Sequence, residues 1–599
     1  MKQFVMGNEA VARGAIAAGV AFVSGYPGTP STEVLESVAR LRPDGVHVEW
    51  SVNEKAALEC AAGAAYAGAY SMVTMKQVGL NVASDPLMSL AYVGIEGAMV
   101  IVVADDPGPI SSQTEQDTRH FAQFAKLPVF DPSSVQEAYG MIGEAFEYSH
   151  HYRTPVIFRP TTRICHGYAT ITLSGGSEPV KGSGFQKSSR WVIFPRLAYQ
   201  NHIEIERRNA ELTGVFSGYE RNLLRGMGAS SRKGIASGGV SYAYACERYN
   251  DSECRLMKVS TPHPFPEALA LKFLDGLDEV LVLEELDPVI ERELLVLCGR
   301  HHLNVNIRGK LTGDVKNAGE NTVASVSAAI DKFLGLERER PQPLELPPLP
   351  VRPPVLCAGC PHRASFYAVK RAMKGQKAVF SGDIGCYTLG NAMPLDMVDT
   401  CLCMGAGVTV AQGLHRMEPD AVNFAFIGDS TFFHTGIPGV INALYNHSDI
   451  VVAVLDNGTT AMTGNQPHPG TGRTAMGDIS ARMSIPDIVK ALGVEHVATV
   501  DPFDLDNTCE KIREFAALSG VRVLIFKSPC ISVSKPHGAL RIDEDKCRAC
   551  GRCVNELGCP AIFSLGGHIS IDKGLCTGCG LCVKLCRFGA ITKQVAGLE

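Results

Sequence analysis

The sequence predicts an α/β protein: three parallel-sheet α/β domains followed by a small, cysteine-rich C-terminal domain. Three observations carry this. Short β-rich runs alternate with Ala-rich helical segments through most of the 599 residues, the pattern of a parallel sheet covered by helices on both faces. A proline-rich stretch breaks that pattern, with seven prolines in the fourteen residues 341–354. Eight of the twenty cysteines fall in the last 53 residues.

Residues 20–24, 46–50, 72–76 and 99–104 read as buried strands, with helices at 30–41, 53–69 and 135–148 between them. They make a first domain over residues 1–165. The stretch 165–212 is less regular and reads as a connector. A second βα domain, residues 185–336, has strand-like runs at 234–237, 256–260 and 279–284 and a helix at 241–249. Proline continues neither a helix nor a central strand, so 337–354 reads as a semi-rigid linker. A third α/β domain, residues 355–535, carries strands at 421–427, 450–455 and 521–527. The last domain, 538–599, holds two similar arms from Ile542 and Ile571, each running I-D and then C-x-x-C-x-x-C.

Lys+Arg number 56 against 62 Asp+Glu, a net charge of -6, which gives no global attraction to nucleic acid or to an anionic membrane. The longest apolar stretches, such as 98–104, are far too short to cross a bilayer. Asn8, Glu9 and Arg13 stand inside the first helical pattern, unlike a secretory leader. The expectation is a cytoplasmic chain with no nucleic-acid and no membrane partner. Disulfide scaffolds belong to small secreted domains, so clustered cysteines here point to metal.

In each C-terminal arm three cysteines fall within seven residues and a fourth follows, Cys559 after five residues and Cys586 after three. Thiolates packed that closely suit one face of an iron–sulfur cubane whose fourth ligand comes from the other arm. That gives Cys547, Cys550, Cys553 and Cys586 for one [4Fe–4S] cluster, and Cys559, Cys576, Cys579 and Cys582 for another. The competing reading is a pair of zinc sites, which usually present two separated C-x-x-C pairs instead. The segment resembles a bacterial-type two-cluster ferredoxin. It departs from that pattern in the five-residue gap before Cys559 and in Arg587, where a proline often stands; the first arm keeps its proline, Pro560.

In the third domain Gly428-Asp429-Ser430 follows one strand and Asp456-Asn457 ends another, 25 residues on. Hard oxygen donors at two strand C-termini suit a Mg²⁺ gripping a diphosphate. The pair resembles the G-D-G…N-N motif of thiamine diphosphate enzymes, with Ser430 for the last glycine and Asp456 for the first Asn. The resemblance assigns Asp429, the Asn457 side chain and the Thr459 carbonyl to Mg²⁺. Thiamine also needs a carboxylate on its aminopyrimidine ring, so that the ring can take the thiazolium proton. Asn53-Glu54-Lys55-Ala56-Ala57-Leu58 resembles that activating segment and makes Glu54 the candidate, with Glu59 as fallback. By itself Glu54 is an acid in a first helical turn, which the helix dipole already favours. Met404, in Cys403-Met404-Gly405-Ala406-Gly407, resembles the apolar wedge that bends the cofactor; a core methionine is the competing reading.

Nearly the whole chain resembles the thiamine diphosphate-dependent 2-oxoacid:ferredoxin oxidoreductases, specifically their arylpyruvate-using branch. The match is carried by Tyr26-Pro27-Gly28-Thr29-Pro30-Ser31-Thr32-Glu33, by Thr74-Met75-Lys76 with Val78-Gly79-Leu80-Asn81, by Cys357-Ala358-Gly359-Cys360-Pro361-His362-Arg363, and by the run 428–466. It implies thiamine-diphosphate-binding folds for the first and third domains, a transketolase C-terminal-like fold for the second and a two-cluster ferredoxin-like fold for the last. It implies a reaction too: arylpyruvate, CoA and two oxidised ferredoxins give aryl-acetyl-CoA, CO2 and two reduced ferredoxins. Thr29 would contact the substrate; its competing reading is a turn residue bonding its own backbone. Met462 stands where pyruvate-using relatives tend to carry Asn, and a flexible thioether suits an aromatic substrate better. The implied partners are a small beta subunit, in a dimer of heterodimers, and ferredoxin.

Relatives with a cluster beside the thiamine take its ligands from a C-x-x-C, a later G-C turn and a last cysteine. Cys357, Cys360, Cys386 and Cys530 fill that order as a third [4Fe–4S] set, and Cys401 and Cys403 read as core thiols. Rival readings are the same chemistry on phenylglyoxylate or a branched-chain 2-oxoacid, a non-oxidative thiamine decarboxylase, and a pure electron-transfer subunit. Iron analysis of anaerobically purified protein discriminates among the cluster counts. About 12 Fe per chain is expected for three cubanes and about 8 for two, while no iron overturns the reading.

Overall fold

The computed structural model describes residues 1–336, 347–350 and 352–593, so most of the expected linker lies outside the described residues. The chain divides into two compact units, Met1–Leu344 and Glu345–Glu599.

The first unit begins with a six-stranded parallel sheet. Its order is His47–Trp50, Phe22–Gly25, Tyr70–Lys76, Ala98–Ala104, Val156–Phe158, Val129–Phe130. Ala98–Ala104 is buried at every position, which is why it reads as an unbroken apolar run and not as an alternation. The helix Glu54–Tyr66 follows the edge strand His47–Trp50, and its first turn is fixed by Asn53, whose side chain accepts from the Ala56 amide at 2.8 Å. A second, five-stranded sheet runs Asn306–Arg308, Glu279–Leu283, Lys233–Gly238, Arg255–Val259, Leu223–Arg225, the last strand antiparallel.

The stretch 165–212 is not an irregular connector. It contains Tyr168–Thr172, paired antiparallel with Lys2–Met6, and most of a 23-residue helix, Pro195–Ser217. That helix buries only Ile205, Leu212 and Phe216, so it lacks the wide apolar stripe by which an amphipathic helix is recognised. Its start does carry a signal, a proline in the first turn.

Between the two sheets of this unit lies a buried charge network. Arg119 donates through Nε to Asp117 at 2.9 Å and through Nη1 to Glu284 at 2.7 Å. Arg159 donates to Asp105 at 2.6 Å and to Asp131 at 3.2 Å. Both guanidinium groups are almost wholly buried. Asp117 is held below the usual carboxylate range; burial opposes this, and Arg119 overcomes it. Asp105 is pushed up to about 6, chiefly by burial.

In the second unit a five-stranded parallel sheet runs Ala378–Ser381, Val422–Gly428, Ile450–Asp456, Val521–Lys527, His496–Val500. The two outer strands, Ala378–Ser381 and His496–Val500, are only partly buried, and the sequence pattern does not single them out. The cysteine-rich module packs on the same core: Leu540, Leu557, Ile562, Leu581 and Leu585 share one apolar cluster with Phe366, Tyr367 and Phe526. Its two arms interlock, since Leu540–Ile542 pairs antiparallel with Ile591–Lys593 and Ile562–Leu565 with His568–Ile571.

Glu285 gives the first unit a pH signature. Burial pushes its carboxyl up to about 7 from an ordinary 4.5, against a hydrogen bond from the Asn321 amide. The folded chain therefore binds this proton more tightly than the unfolded chain does. The associated stability is complete below pH 4.5 and is lost as pH rises to about 7. Urea unfolding at pH 5 and pH 8 should show Glu285→Gln gaining on wild type at the higher pH. A pH-independent difference refutes it.

Candidate functional site

In the second unit the two strands that carry the diphosphate motif are neighbours, Val422–Gly428 against Ile450–Asp456. Asp429 begins the next helical segment and is 3 % exposed. Its carboxylate accepts from the Ser430 amide at 2.9 Å and the Gly458 amide at 2.8 Å, and lies 3.2 Å from His468 Nε2. Asn457 is buried, and the Thr459 amide donates to its Oδ1 at 3.1 Å. Its Nδ2 lies 3.2 Å from His362 Nε2. Burial pushes His362 down to about 4, against the Asp429 charge, so the ring is neutral and its Nε2 accepts from the Asn457 amide. Thr460 Oγ1 donates to Ser430 Oγ at 3.0 Å. The expected residues Gly428, Asp429, Ser430, Asn457 and Thr459 thus converge at adjoining strand ends.

Asp383 was not anticipated. It is buried, accepts from the Gly405 amide at 2.7 Å and the Tyr387 hydroxyl at 3.1 Å, and more weakly from the Gly428 amide. Burial pushes its carboxyl up to about 6 despite these donors. It therefore ties the Met404–Gly405 turn to the diphosphate loop. Gly405 adopts φ +79°, and a Cβ there would meet Thr435 Oγ1 at 2.1 Å. Thr435 donates to the Met404 carbonyl at 3.0 Å. It does so from a π-helical turn, Phe432–Gly436, a distortion frequent at functional sites. Met404 is half-buried beside this turn, and Met462 is 52 % exposed.

In the first unit Glu54 is buried at the start of its helix and packs on Gly79, where a Cβ would meet Glu54 Oε1 at 2.5 Å. Glu59, the alternative, is half-exposed and pairs with Lys55. Thr29 lies in a turn held by its neighbours: Thr32 accepts from the Gly28 amide at 2.9 Å, and the Ser31 hydroxyl donates to the Gly28 carbonyl at 2.8 Å. The Thr29 hydroxyl makes no hydrogen bond among the described residues, and its carbonyl accepts from Ser111 at 3.1 Å. Lys76 lays its stem over Gly28 and donates to the Ser111 carbonyl at 3.2 Å. Burial pushes its ammonium down, with Asp106 and Glu54 opposing. Lys76 and Asp106 are thus further polar neighbours of Thr29 and Glu54; Lys76 was legible only as part of a longer motif.

The interlocked arms gather their cysteines across the repeat. Cys559, Cys576, Cys579 and Cys582 line one cavity of about 430 Å³. Cys547, Cys550, Cys553 and Cys586 line another of about 470 Å³. Main-chain amides point at two of the sulfurs, Leu540 N–H to Cys576 at 3.4 Å and Ala590 N–H to Cys586 at 3.3 Å. Among the described residues no group of three or more His, Cys, Asp or Glu is close enough to hold a single metal ion.

Of the third set, Cys386 has Cys530 and Cys357 as charge neighbours, and burial pushes its thiol up to about 11. Cys360 stays beside Cys357 but lines the 430 Å³ cavity with the second-arm cysteines. Cys401 and Cys403 are exposed, not core thiols. They lie in non-regular chain just before the Gly405 turn. No helix among the described residues is long and apolar enough to cross a membrane.

Asp383→Ala tests the loop tie without any cofactor. It strands the buried Gly405 and Gly428 amides, and losing even one such partner costs about 1–3 kcal/mol. Urea unfolding of the apo chain should move by that amount, and an unchanged midpoint contradicts the tie.

Three family descriptions match the chain. "Pyruvate flavodoxin/ferredoxin oxidoreductase, thiamine diP-bdg" covers residues 13–182, "Thiamine pyrophosphate enzyme, C-terminal TPP binding domain" 383–526, and "4Fe-4S binding domain" 569–592. Indolepyruvate oxidoreductase subunit IorA of Methanothermobacter marburgensis is 42% identical over 98% of this chain and 97% of its own. The Thermococcus kodakarensis protein of the same name is 40% identical over 93% and 92%. Among solved structures, a 2-oxoglutarate:ferredoxin oxidoreductase from Magnetococcus marinus matches at 19% identity and a TM-score of 0.45, over 56% of this chain and 65% of that one.

Proposed function

We propose, for a chain that belongs to the IorA family of thiamine diphosphate-dependent 2-oxoacid:ferredoxin oxidoreductases, the oxidative decarboxylation of an arylpyruvate of the indolepyruvate kind. CoA takes the acyl group as aryl-acetyl-CoA, CO2 leaves, and two electrons pass to ferredoxin. The observation that carries the reading is one unit holding both a diphosphate-type strand edge and two cavities, each lined by four cysteines of the C-terminal repeat.

The donor sets fit the groups. Asp429, Asn457 and the Thr459 carbonyl offer the hard oxygens that Mg²⁺ prefers, and each cavity offers the thiolates of a [4Fe–4S] cluster. Bound thiamine diphosphate supplies a nucleophilic carbon and a cationic ring that takes up the electrons freed by loss of CO2. Asp429 and Asn457 anchor the diphosphate through Mg²⁺. Asp383 and His362 hold the loops that carry them, and the Met404 side chain wedges the cofactor. Glu54 hydrogen-bonds the aminopyrimidine and keeps it in the tautomer that accepts a proton. Thr29, with a free hydroxyl, contacts the 2-oxoacid. Cys547, Cys550, Cys553 and Cys586 hold one cluster, Cys559, Cys576, Cys579 and Cys582 the second, and Cys357, Cys360, Cys386 and Cys530 a third. The active species is a heteromer with a small beta subunit, as a dimer of heterodimers in the cytoplasm, and Met462 favours the aromatic substrate.

The test uses the anaerobic complex with indolepyruvate, CoA and a low-potential acceptor. Acyl-CoA should form with two electrons transferred per CO2. Release of free aldehyde without acceptor reduction sinks the oxidative reading, and equal or better use of a branched-chain 2-oxoacid sinks the aryl assignment. Glu54→Gln should lower turnover by about 10²-fold or more with iron content unchanged.

A further inference from the structure

The cavity ringed by Cys559, Cys576, Cys579 and Cys582 has a cationic wall, Arg363. This residue stands in the first turn of the helix Pro361–Ala372 and is 4 % exposed. Its donors go to main-chain carbonyls: Nη1 to Leu557 at 2.5 Å and to Gly558 at 2.9 Å, and Nη2 to Leu356. Nε has no partner. Among the described residues no carboxylate pairs with Arg363, and the groups that can carry negative charge near it are thiols: Cys559 foremost, then Cys360, Cys357 and Cys579.

A guanidinium does not shed its proton in a protein. Taken out of water it needs a counter-charge, and neutral carbonyls orient it without neutralising it. The counter-charge has to come from the cavity side. The other cavity differs in kind. Its arginines Arg548 and Arg587 are exposed, and the half-buried Arg552 is already paired with Glu556 at 2.6 Å. Solvent and that carboxylate screen their charge.

We infer that Arg363 is the counter-charge of the iron–sulfur cluster held by Cys559, Cys576, Cys579 and Cys582, and that it raises that cluster's reduction potential above the potential it would have without the cation. The inference rests on the cluster assignment proposed above. Reduction adds one electron and one negative charge to the cluster, and nothing leaves. The fixed positive charge at low local dielectric therefore favours the reduced form. In turnover the electron comes from the 2-oxoacid as it is oxidised; in the experiment dithionite supplies it. Arg363 is a positioning and tuning residue in this role, since it touches no substrate.

The experiment is an EPR-monitored redox titration of the full chain with its clusters reconstituted anaerobically. A Cys550→Ser, Cys530→Ser background, which disables both the first set and the proposed third set, assigns the signal of the Arg363-side cluster. Arg363→Gln should lower the reduced-to-oxidised ratio of that cluster at fixed ambient potential by tenfold or more, a shift of about 59 mV for one electron. The cluster of Cys547, Cys550, Cys553 and Cys586 should not move. Arg363→Lys keeps the charge but cannot make all three carbonyl bonds, and should stay within about twofold of wild type, a small fraction of that tenfold step. If Arg363→Gln fails to fold, the neutral Arg363→Met variant decides: a tenfold fall supports the role, and an unmoved midpoint overturns it. Equal midpoints for Arg363→Gln and wild type, or an equal shift of the cluster held by Cys547, Cys550, Cys553 and Cys586, also overturn it. Wild-type protein without iron or a cubane signal is a different result, because it removes the cluster assignment itself.

Discussion

A charge taken out of water has to be met inside the protein, and that one constraint organises both units. In the first, Arg119 and Arg159 are buried among Asp105, Asp117, Asp131 and Glu284. Removing one partner would leave its mate stranded, so the two sheets of that unit are held in one arrangement. In the second, Asp383 is met by amides and a phenol, and Asp429 by two amides and a histidine. The same requirement that fixes the fold therefore fixes the loops at the strand ends. Those loops are thus held by groups of the chain itself.

Much of the chemistry was legible because it is written locally. Asp429 and Asn457 sit directly after strands that are continuous apolar runs, so both their residue type and their placement could be read. The cysteine arms were legible for the same reason, since three cysteines fall in seven residues and the repeat supplies the rest. Glu54 could be separated from Glu59 only by burial, because both lie on one helix and the sequence does not show which face meets Gly79.

What escaped was long-range or weakly patterned. Asp383 acts on Gly405 and Gly428, 22 and 45 positions away, and no spacing rule links them. Arg363 is answered by carbonyls from Leu557 and Gly558 nearly 200 positions on. The helix Pro195–Ser217 hid because a mostly exposed helix needs few apolar residues. Cys401 and Cys403 misled because cysteine is often buried, and only the course of the chain shows that they are exposed.

The crossed pairing of the C-terminal arms sets an order of events in the life of the chain. The strand Leu540–Ile542 has its partner in Ile591–Lys593, so the module cannot close until synthesis has passed residue 593. Cysteines of the first arm, Cys547 to Cys559, emerge from the ribosome well ahead of Cys586. Closure of the module is then a late event, because both arms must be in place. A nascent chain stalled inside the last arm would expose reactive thiols from the first without the means to shelter them.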